Sequence, residues 1–361
     1  MKKYKTIILI YLFFMLTLLC SCEKETAIDP ADRDVPDELH KVLSEQVQID
    51  AAITYKPDKN SYSSYELKSK STYDENILCN LFFHNESPAI TKNDYGELSI
   101  KTDLKTLHIG GYFRYFTDYY MRYLSIIEYL PFDDIQKFRV NFNGYPIENE
   151  LQHFSKESAL AQAEDIMNTL EIDYTASPLI CAGITAETLE AFAREDTIQD
   201  YYKQYSLGTP TYTYRDEFYY MVYQLSIDNS VLFECNYRSD LSNIPSAKEC
   251  GSYIVICIGR DEILQVQTGI NWQVITDSQK EAHEWVAVSV VVDKISEYFD
   301  HYILKGTTVV KKIDFQYISI HDTNGIRCAV PAWIIYAENS ADPSRGTLIF
   351  IDALTGEFIY L

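Results

Sequence analysis

The stretch KIDFQYISI, 312–320, alternates apolar and polar side chains with a period of two. Its apolar positions would share one face of a strand: Ile313, Phe315 and Tyr317. Asp314 and Gln316 would then lie on the opposite face. This alternation is typical of a β-strand that packs against a core. The segments on either side of it indicate the kind of sheet that the strand joins.

The segments that follow predict an antiparallel sheet. PAWIIYAEN, 331–339, and TLIFIDALTGEFIYL, 347–361, predict two further strands and a final hairpin that turns at Thr355-Gly356. Asp352 precedes that turn, and we interpret its carboxylate as a cap for the turn, as is common for aspartates near glycine turns. A charged tip that contacts a partner is the alternative role for Asp352.

The segment that precedes the stretch predicts a helix. Thr276 and Gln279 have the spacing of a capping box, and the helix that they open would run to about Tyr302. We expect its buried face to comprise Ala282, Trp285, Val292, Ile295 and Phe299. Its many valines are poor helix formers, so tertiary packing must hold it.

The same succession of helix and strands occurs earlier in the chain. SKESALAQAEDIMNTLEI, 155–172, predicts a helix with Ser155 as N-cap. Its apolar stripe would be Leu160, Ala163, Met167 and Leu170. A short helix over Thr185–Glu195 follows. Strands are then predicted in EFYYMVYQL, SYIVICIG and EILQVQTG. We therefore predict an α+β fold with two repeats, each a helix packed on an antiparallel sheet.

The region before these repeats predicts a smaller α+β unit. VQIDAAITY, 47–55, alternates as a strand, residues 74–83 suit a short helix, and Leu98 and Ile100 alternate in another strand. Residues 112–130 are ambiguous between a helix and strands, and their dense tyrosines favour strands. The predicted divisions are a signal peptide (1–21), an acidic tether (22–36), an N-terminal α+β region (37–150), a first repeat (151–275) and a second repeat (276–361).

The C-terminal segment IDALTGEFIYL resembles the closing strand pair of PepSY domains, in which an Asp-Ala pair precedes a Thr-Gly-Glu turn. PAWIIYAEN resembles the matching strand of YycH/YycI-type regulators, which lie outside the membrane of low-GC Gram-positive bacteria. The resemblance covers roughly residues 150–361, and an uncharacterised group of lipoproteins from such bacteria shares the layout. It implies tandem PepSY-like repeats and the regulation of a partner or protease, by analogy of fold.

The leader predicts a lipid anchor. Three lysines at positions 2, 3 and 5 precede a fourteen-residue uncharged run from Thr6 to Leu19. This run is shorter than the ~20 apolar residues that a membrane-spanning helix needs, and it suits a signal peptide. Leu19-Cys20-Ser21-Cys22 resembles the bacterial lipobox, which implies acylation of Cys22 and loss of Cys20 with the leader. The predicted location is the outer face of a cell membrane.

The charge excludes several partners. The chain has 31 basic and 53 acidic residues, and loss of residues 1–21 removes three lysines and brings the net charge to about −25. Nucleic acid requires a basic face, so we predict no nucleic-acid partner. Anionic lipid would also repel this surface, and the lipid on Cys22 would therefore have to hold the protein at the membrane.

The cysteines and tyrosines leave alternatives open. Of eight cysteines, the six beyond Cys22 are scattered, and we expect mostly free buried thiols with Cys235–Cys250 as the pair to test. Thirty tyrosines favour half-buried sheet surfaces. A glycan-binding surface would use the same residues.

No sequence motif predicts catalysis, a metal or a cofactor. A zinc site of the HExxH type would need a histidine where Ala287 stands, after His283-Glu284. The predicted helix would separate His283 and His301 by about 27 Å, too far to share a metal. We predict a non-enzymatic lipoprotein that binds and regulates another envelope protein. The alternatives are a solute- or glycan-binding lipoprotein and a hydrolase whose site is assembled from residues distant in sequence.

The lipid anchor is directly testable at Cys22. We expect the wild-type chain to enter the detergent phase on partitioning and its N-terminus to carry acyl chains in mass spectrometry, because the acylated thiol is apolar. Cys22→Ser removes the acceptor sulfur and should move the protein to the aqueous phase. An unmodified N-terminus in the wild type would contradict the prediction.

Overall fold

The computed structural model describes residues 34–70, 73–84, 86–110, 112–124, 147–174, 177–227, 229–233, 253–268, 272–275, 279–302, 304–322 and 324–360. The predicted signal peptide, the lipidation residue Cys22, most of the tether and the Cys235–Cys250 pair lie outside these residues. Within them the chain is α+β, as the sequence predicts, with two large sheets and helices packed on their faces.

The strands are, in chain order, β1 (Glu38–Val42), β2 (Val47–Ala52), β3 (Ser61–Tyr62), β4 (Tyr65–Ser69), β5 (Ala89–Lys92), β6 (Leu98–Lys101), β7 (Lys105–Ile109), β8 (Phe113–Thr117), β9 (Ile180–Ile184), β10 (Phe218–Gln224), β11 (Ser226–Ile227), β12 (Ser230–Phe233), β13 (Tyr253–Gly259), β14 (Ile263–Thr268), β15 (Trp272–Val274), β16 (His283–Glu284), β17 (Thr308–His321), β18 (Arg327–Asn339) and β19 (Asp342–Asp352). The helices are α1 (Glu75–Leu78), α2 (Lys156–Thr169), α3 (Ala186–Ala193), α4 (Asp196–Gln204) and α5 (Val288–Asp300), with π-helical turns at Cys79–Phe83 and Tyr120–Leu124.

A nine-stranded sheet joins strands from both ends of the described chain. Its main path is β1-β2-β17-β18-β4-β15, with β12 and β11 attached beside β17 and with β19 beside β18. Strand β17 is antiparallel to β18 but parallel to β2 and to β12. The two parallel pairs are possible because long connections separate the paired strands in sequence.

An eight-stranded antiparallel sheet forms the middle of the chain, in the order β5-β6-β7-β8-β14-β13-β10-β9. Strand β10 is buried at all seven positions. Its residues alternate between two cores, with Tyr219 and Met221 in one and Tyr220 in the other. Helix α2 covers the first core, while α3, α4 and the turn Tyr120–Leu124 cover the second. Because both faces are covered, β10 reads as a continuous apolar run.

The predicted helix in the first repeat is confirmed. Ser155 accepts a hydrogen bond from the Ser158 amide at 3.2 Å and so caps α2. Ala163 and Met167 are fully buried against the eight-stranded sheet. The short helix predicted over Thr185–Glu195 is also present as α3, and the Thr185 hydroxyl caps it.

The predicted start of the second helix is wrong. Helix α5 begins at Val288, whereas His283 and Glu284 pair with β3 and Ala282 is exposed. The backbone N–H groups that a helix would use are bonded elsewhere: Lys280 N–H donates to the Ser64 carbonyl, and Val286 N–H to the Ala353 carbonyl. Thr276 lies outside the described residues. The expected burial of Trp285, Val292, Ile295 and Phe299 is confirmed.

The described strands of the region 37–150 all belong to sheets that they share with strands of the predicted repeats. Strands β1, β2 and β4 join C-terminal strands, whereas β5–β8 extend the sheet of the predicted first repeat. Strands β11, β12 and β15 of that repeat belong instead to the nine-stranded sheet. Periodicity identifies a strand but does not select its partner, which is why the sheets are shared across boundaries predicted along the chain.

Residues 112–130 are only partly strand. Strand β8 ends at Thr117, and a π-helical turn follows from Tyr120 to Leu124. The Thr117 hydroxyl accepts a hydrogen bond from the Tyr120 amide at 3.1 Å, which supports the change of backbone path. Residues 125–130 lie outside the described part. No helix among the described residues is both long and apolar enough to cross a bilayer.

A buried polar network joins the two sheets. Asp314 on β17 is 3% exposed, and its carboxylate accepts hydrogen bonds from the amides of Thr54 and Tyr55 at 3.0 and 3.1 Å. Lys312 Nζ lies 2.8 Å from the other carboxylate oxygen. The Tyr55 hydroxyl then donates to Gln224 Oε1 on β10 at 2.6 Å. The network thus extends from the centre of one sheet to the other.

Loss of the Asp314 carboxylate should strongly destabilise the fold. Asp314→Ala leaves the mostly buried ammonium of Lys312 and the amides of residues 54 and 55 without their acceptor. We therefore expect the free energy of unfolding to fall by about 3–5 kcal/mol. Urea denaturation of the full chain measures it. Asp50→Ala is the matched control, since Asp50 is 58% exposed in its pair with Lys311 and solvent screening should make its contribution to stability much smaller than that of Asp314. Equal losses in the two variants would contradict a structural role for the network.

Candidate interaction surface

The residues considered for chemistry in the sequence are separate in the described structure. His283 lies exposed on β16, and His301 lies exposed at the end of α5. Asp352 accepts hydrogen bonds from the amides of Leu354 and Thr355 at 2.8 and 3.1 Å. This confirms the interpretation of its carboxylate as a cap for the turn. Among the described residues, no three histidine, cysteine or acidic side chains lie close enough to hold a metal.

Four cysteines of the described part carry thiols that are not in a disulfide bond: Cys79, Cys181, Cys257 and Cys328. Cys257 is fully buried under the turn Tyr120–Leu124, with its Sγ 3.5 Å from the Tyr120 hydroxyl. Burial raises the pKa of the half-buried thiol of Cys181. Since nucleophilic cysteines have depressed pKa values, this thiol is not activated.

Many tyrosines pack inside the two sheets, as their β preference predicts. The buried ones include Tyr62, Tyr115, Tyr219, Tyr220, Tyr223 and Tyr317. A second group concentrates on one surface, beside the π-helical turn and helix α4. We call this surface the tyrosine belt and define it by Tyr119, Tyr123, Tyr201, Tyr205 and Tyr214.

Four tyrosines of the belt are joined by ring contacts through Tyr202, whose ring centroid lies 6.4 Å from that of Tyr123 and 6.0 Å from that of Tyr201. One carboxylate links them to the chain segment of Tyr214. The rings of Tyr119 and Tyr123 lie 5.3 Å apart, and those of Tyr201 and Tyr205 lie 4.7 Å apart. The Tyr119 hydroxyl donates to Asp216, two residues after Tyr214. Tyr205 and Tyr214 are 58% and 43% exposed, so the outer edges of their rings are available to a ligand.

Buried hydroxyl groups hold the belt in place. The Tyr212 hydroxyl donates to the Tyr123 carbonyl at 2.8 Å, and the Tyr202 hydroxyl lies 3.1 Å from that of Tyr212. Because Tyr212 already donates its proton, Tyr202 is the donor in that pair. Burial raises the pKa of Tyr212, and burial together with Asp216 raises the pKa of Tyr119. Both phenols are therefore neutral donors at ordinary pH.

Two arginines and a histidine surround the tyrosine at one end of the belt. Arg215 precedes β10, and Arg260 lies in the turn between β13 and β14. Their guanidinium carbons lie 6.0 and 5.9 Å from the centroid of the Tyr214 ring, and the His153 ring lies 5.0 Å from the same centroid. The pKa of Tyr214 is lowered by its hydrogen bond with Arg215 and by the nearby charge of Arg260.

Side chains of these types can serve in the recognition of a partner or ligand. Tyrosine and arginine dominate the energetic hot spots of protein interfaces, because they combine large apolar area with directional polar groups. Fixed rings lose little conformational entropy on binding. The sequence contains a signal for this surface in TYTYRD, 211–216, where tyrosine alternates before two charges. Alternation alone predicts packing in a sheet, so the sequence does not distinguish this exposed surface from a buried strand.

The ionisation of Tyr214 gives a test of the belt's geometry. We expect Tyr214 to lose its proton at lower pH than Tyr119 and Tyr212, because two guanidinium groups stabilise its phenolate. Tyrosinate absorbance during alkaline titration of the full chain measures it, and Tyr214→Phe should remove the earliest step.

The buried phenols should behave in the opposite way. Their folded-state pKa values are raised, so the stability that they contribute is present below the unfolded value of ~10 and is lost as the pH rises through the folded values. Tyr212 should therefore ionise together with unfolding. An early step that persists in Tyr214→Phe would contradict the assignment.

Comparison with known proteins supports the fold. No protein-family model matches the chain, and no curated protein matches it. The crystal structure of an uncharacterised protein from Eubacterium rectale superposes with a TM-score of 0.55 and 15% identity over 90% of this chain and 94% of that one. The C-terminal domain of YpeB from Bacillus megaterium aligns with a TM-score of 0.30 and 11% identity over 79% of this chain and 95% of that domain. Of these two structures, the one from Eubacterium rectale is similar enough to support a conclusion, which is that it and this chain share a fold.

Proposed function

We propose that this chain is a lipid-anchored, non-enzymatic protein of the extracytoplasmic face, which binds another envelope protein through the tyrosine belt and regulates it. The observation that carries the proposal is the pre-organised row of tyrosines that ends at Arg215 and Arg260. Side chains of this kind, held by buried hydrogen bonds beneath them, are typical of protein-binding surfaces.

The predicted anchor supplies the location. An acyl group on Cys22 would hold the protein at the membrane, and residues 23–36 would let the folded part stand away from the lipid. A single chain gives only marginal membrane binding, whereas two or more give stable attachment. The resemblance of the C-terminal strands to PepSY domains, and the proposal of tandem PepSY-like repeats, favour regulation of the bound protein.

Glycan binding is the second candidate function. It is favoured by the exposed rings of Tyr205 and Tyr214, because flat aromatic faces can pack against the apolar face of a sugar. Under this alternative, a polysaccharide of the cell envelope would occupy the belt in place of a protein.

The belt is tested by comparing two exposed tyrosines. Tyr205→Ala removes a belt ring, whereas Tyr95→Ala removes a ring that is 92% exposed on the β5–β6 turn of the same sheet. Affinity purification of the detergent-solubilised full chain from envelope membranes, followed by quantitative mass spectrometry, measures the partner. We expect the wild type and Tyr95→Ala to recover one protein in common, and Tyr205→Ala to recover at least about tenfold less, a loss of ~1.4 kcal/mol or more.

Two outcomes would contradict the proposal. If the wild type recovers no specific protein, the proposed protein partner does not exist. If all three chains recover the same amount, the partner binds elsewhere on the surface and not at the belt. Retention on purified envelope polysaccharide that is lost in Tyr205→Ala would favour glycan binding instead.

A further inference from the structure

The eight-stranded sheet has an open edge at β5. Among the described residues, no strand pairs with the outer side of β5, and all four of its residues are exposed. The Asn93 amide donates to the Glu97 carbonyl at 3.1 Å. Because the bonded positions alternate along an antiparallel pair, Thr91 bonds to β6, whereas the N–H and C=O groups of Ile90 and Lys92 point outward. These four backbone groups are available to another strand.

Two other outer strands are better protected. The outer side of β9 is partly covered, since Gly183 and Glu148 exchange two backbone hydrogen bonds of 2.8 and 2.9 Å. Charged or titratable side chains discourage an edge from pairing with another chain, and β1 carries three of them: Glu38, His40 and Lys41. In β5 the one charged residue is Lys92, and its ammonium group lies 2.7 Å from the Glu75 carboxylate. The edge at β5 is therefore the least guarded of the three.

We infer that β5 pairs with β5 of a second copy of this chain and so joins two eight-stranded sheets into one. The two strands run antiparallel about a two-fold axis at Thr91. Ile90 then faces Lys92 of the second copy, and the two such pairs exchange about four hydrogen bonds. Thr91 faces Thr91 of the second copy, which is a favourable pair across antiparallel strands. Both copies use the same surface, as in the common two-fold interfaces.

The residues of β5 and its flanks select this register. A two-fold axis at Lys92 would place two lysines directly opposite each other, which is destabilising. A two-fold axis at Ile90 would place Lys92 opposite Pro88 of the second copy, which has no N–H group to donate. With the axis at Thr91, no like charges face each other within the strand and all the outward backbone groups have partners.

The paired edge is short, so the dimer depends on the concentration of chains. Interfaces that bury less than ~1,200 Å² are typical of transient contacts. Repulsion between two chains of net charge −22 opposes the pairing, although charges further apart than a Debye length of about 8 Å are screened. The proposed lipid anchor would raise the local concentration by holding many copies on one membrane.

The dimer presents two tyrosine belts. Strand β5 lies at one end of the eight-stranded sheet and β9 at the other. Helices α3 and α4 and the turn Tyr120–Leu124 cover the part of the sheet from β8 to β9, away from the paired edge. Two belts on one assembly bind a partner that has several sites more tightly than a single belt does. The inference goes beyond the proposed function and does not depend on it.

Disulfide cross-linking of the purified full chain tests the register. Thr91→Cys places two thiols at the two-fold axis, where the Cα atoms lie about 4.5 Å apart, within reach of a disulfide. Ala89→Cys is the matched control, because its Cα atoms lie about 14 Å apart in the same pairing. After mild oxidation we expect at least about tenfold more dimer from Thr91→Cys on a non-reducing gel. The wild type gives the background from native thiols.

A proline variant tests the backbone hydrogen bonds. Adding Ile90→Pro to Thr91→Cys removes an outward N–H group, so bonds to the second copy are lost while those to β6 remain. We expect the dimer band to fall to the level of Ala89→Cys. Circular dichroism checks that this variant is folded, and the comparison of Thr91→Cys with Ala89→Cys stands without it.

Three outcomes would overturn the inference. Equal dimer bands from Thr91→Cys and Ala89→Cys would mean random collision or another register. A Thr91→Cys band that Ile90→Pro leaves unchanged in a folded chain would place the contact elsewhere. Cross-linking of Thr91→Cys in envelope membranes to a different protein, with no dimer, would mean that a partner strand occupies β5. Loss of the envelope partner in Tyr205→Ala bears on the belt alone, so the two proposals fail separately.

Discussion

The burial of both faces of β17 is the constraint on which the rest of the structure depends. One face carries Ile313, Phe315 and Tyr317 against helix α5, and the other carries Asp314, which cannot remain charged inside the protein without partners. Lys312 and the amides at residues 54 and 55 supply those partners. Lys312 belongs to β17 itself, whereas the two amides belong to the segment that follows β2, so satisfying one carboxylate holds the end of β2 at β17.

The same network connects the nine-stranded sheet to the eight-stranded sheet, beside which the candidate site lies. The Tyr55 amide donates to the Asp314 carboxylate, and the Tyr55 hydroxyl donates to Gln224 at the end of β10. A second link lies at the C-terminal end of α2, where Lys70 donates to the Leu170 carbonyl at 3.1 Å and pairs with Glu171. A cation at this end of a helix is favourable because it faces unsatisfied carbonyls. The eight-stranded sheet is thus held against the nine-stranded sheet by polar groups at two places.

The tyrosine belt depends on this double-faced sheet. Strand β10 places Tyr219 in one core and Tyr220 in the other, so helices cover both faces of the eight-stranded sheet. The outer sides of these helices are then available for recognition. The fold that this chain shares with the Eubacterium rectale protein concerns the arrangement of the sheets and helices and says nothing of their function. Function depends on particular surface groups and not on the fold, and the groups that we propose for this role are the fixed phenols of the belt and two arginines.

By itself, the sequence determined the identity of the elements whose signals are local. A period of two identified β17, a Ser155 cap with an apolar stripe identified α2, and Asp352 before Gly356 identified the last turn, because each signal depends on neighbours along the chain. Only the tertiary structure decided which strands pair, that residues 280–286 hydrogen-bond to distant strands instead of extending α5, and that Tyr214 meets Arg260. These are contacts between residues far apart in sequence, and periodicity carries no information about them.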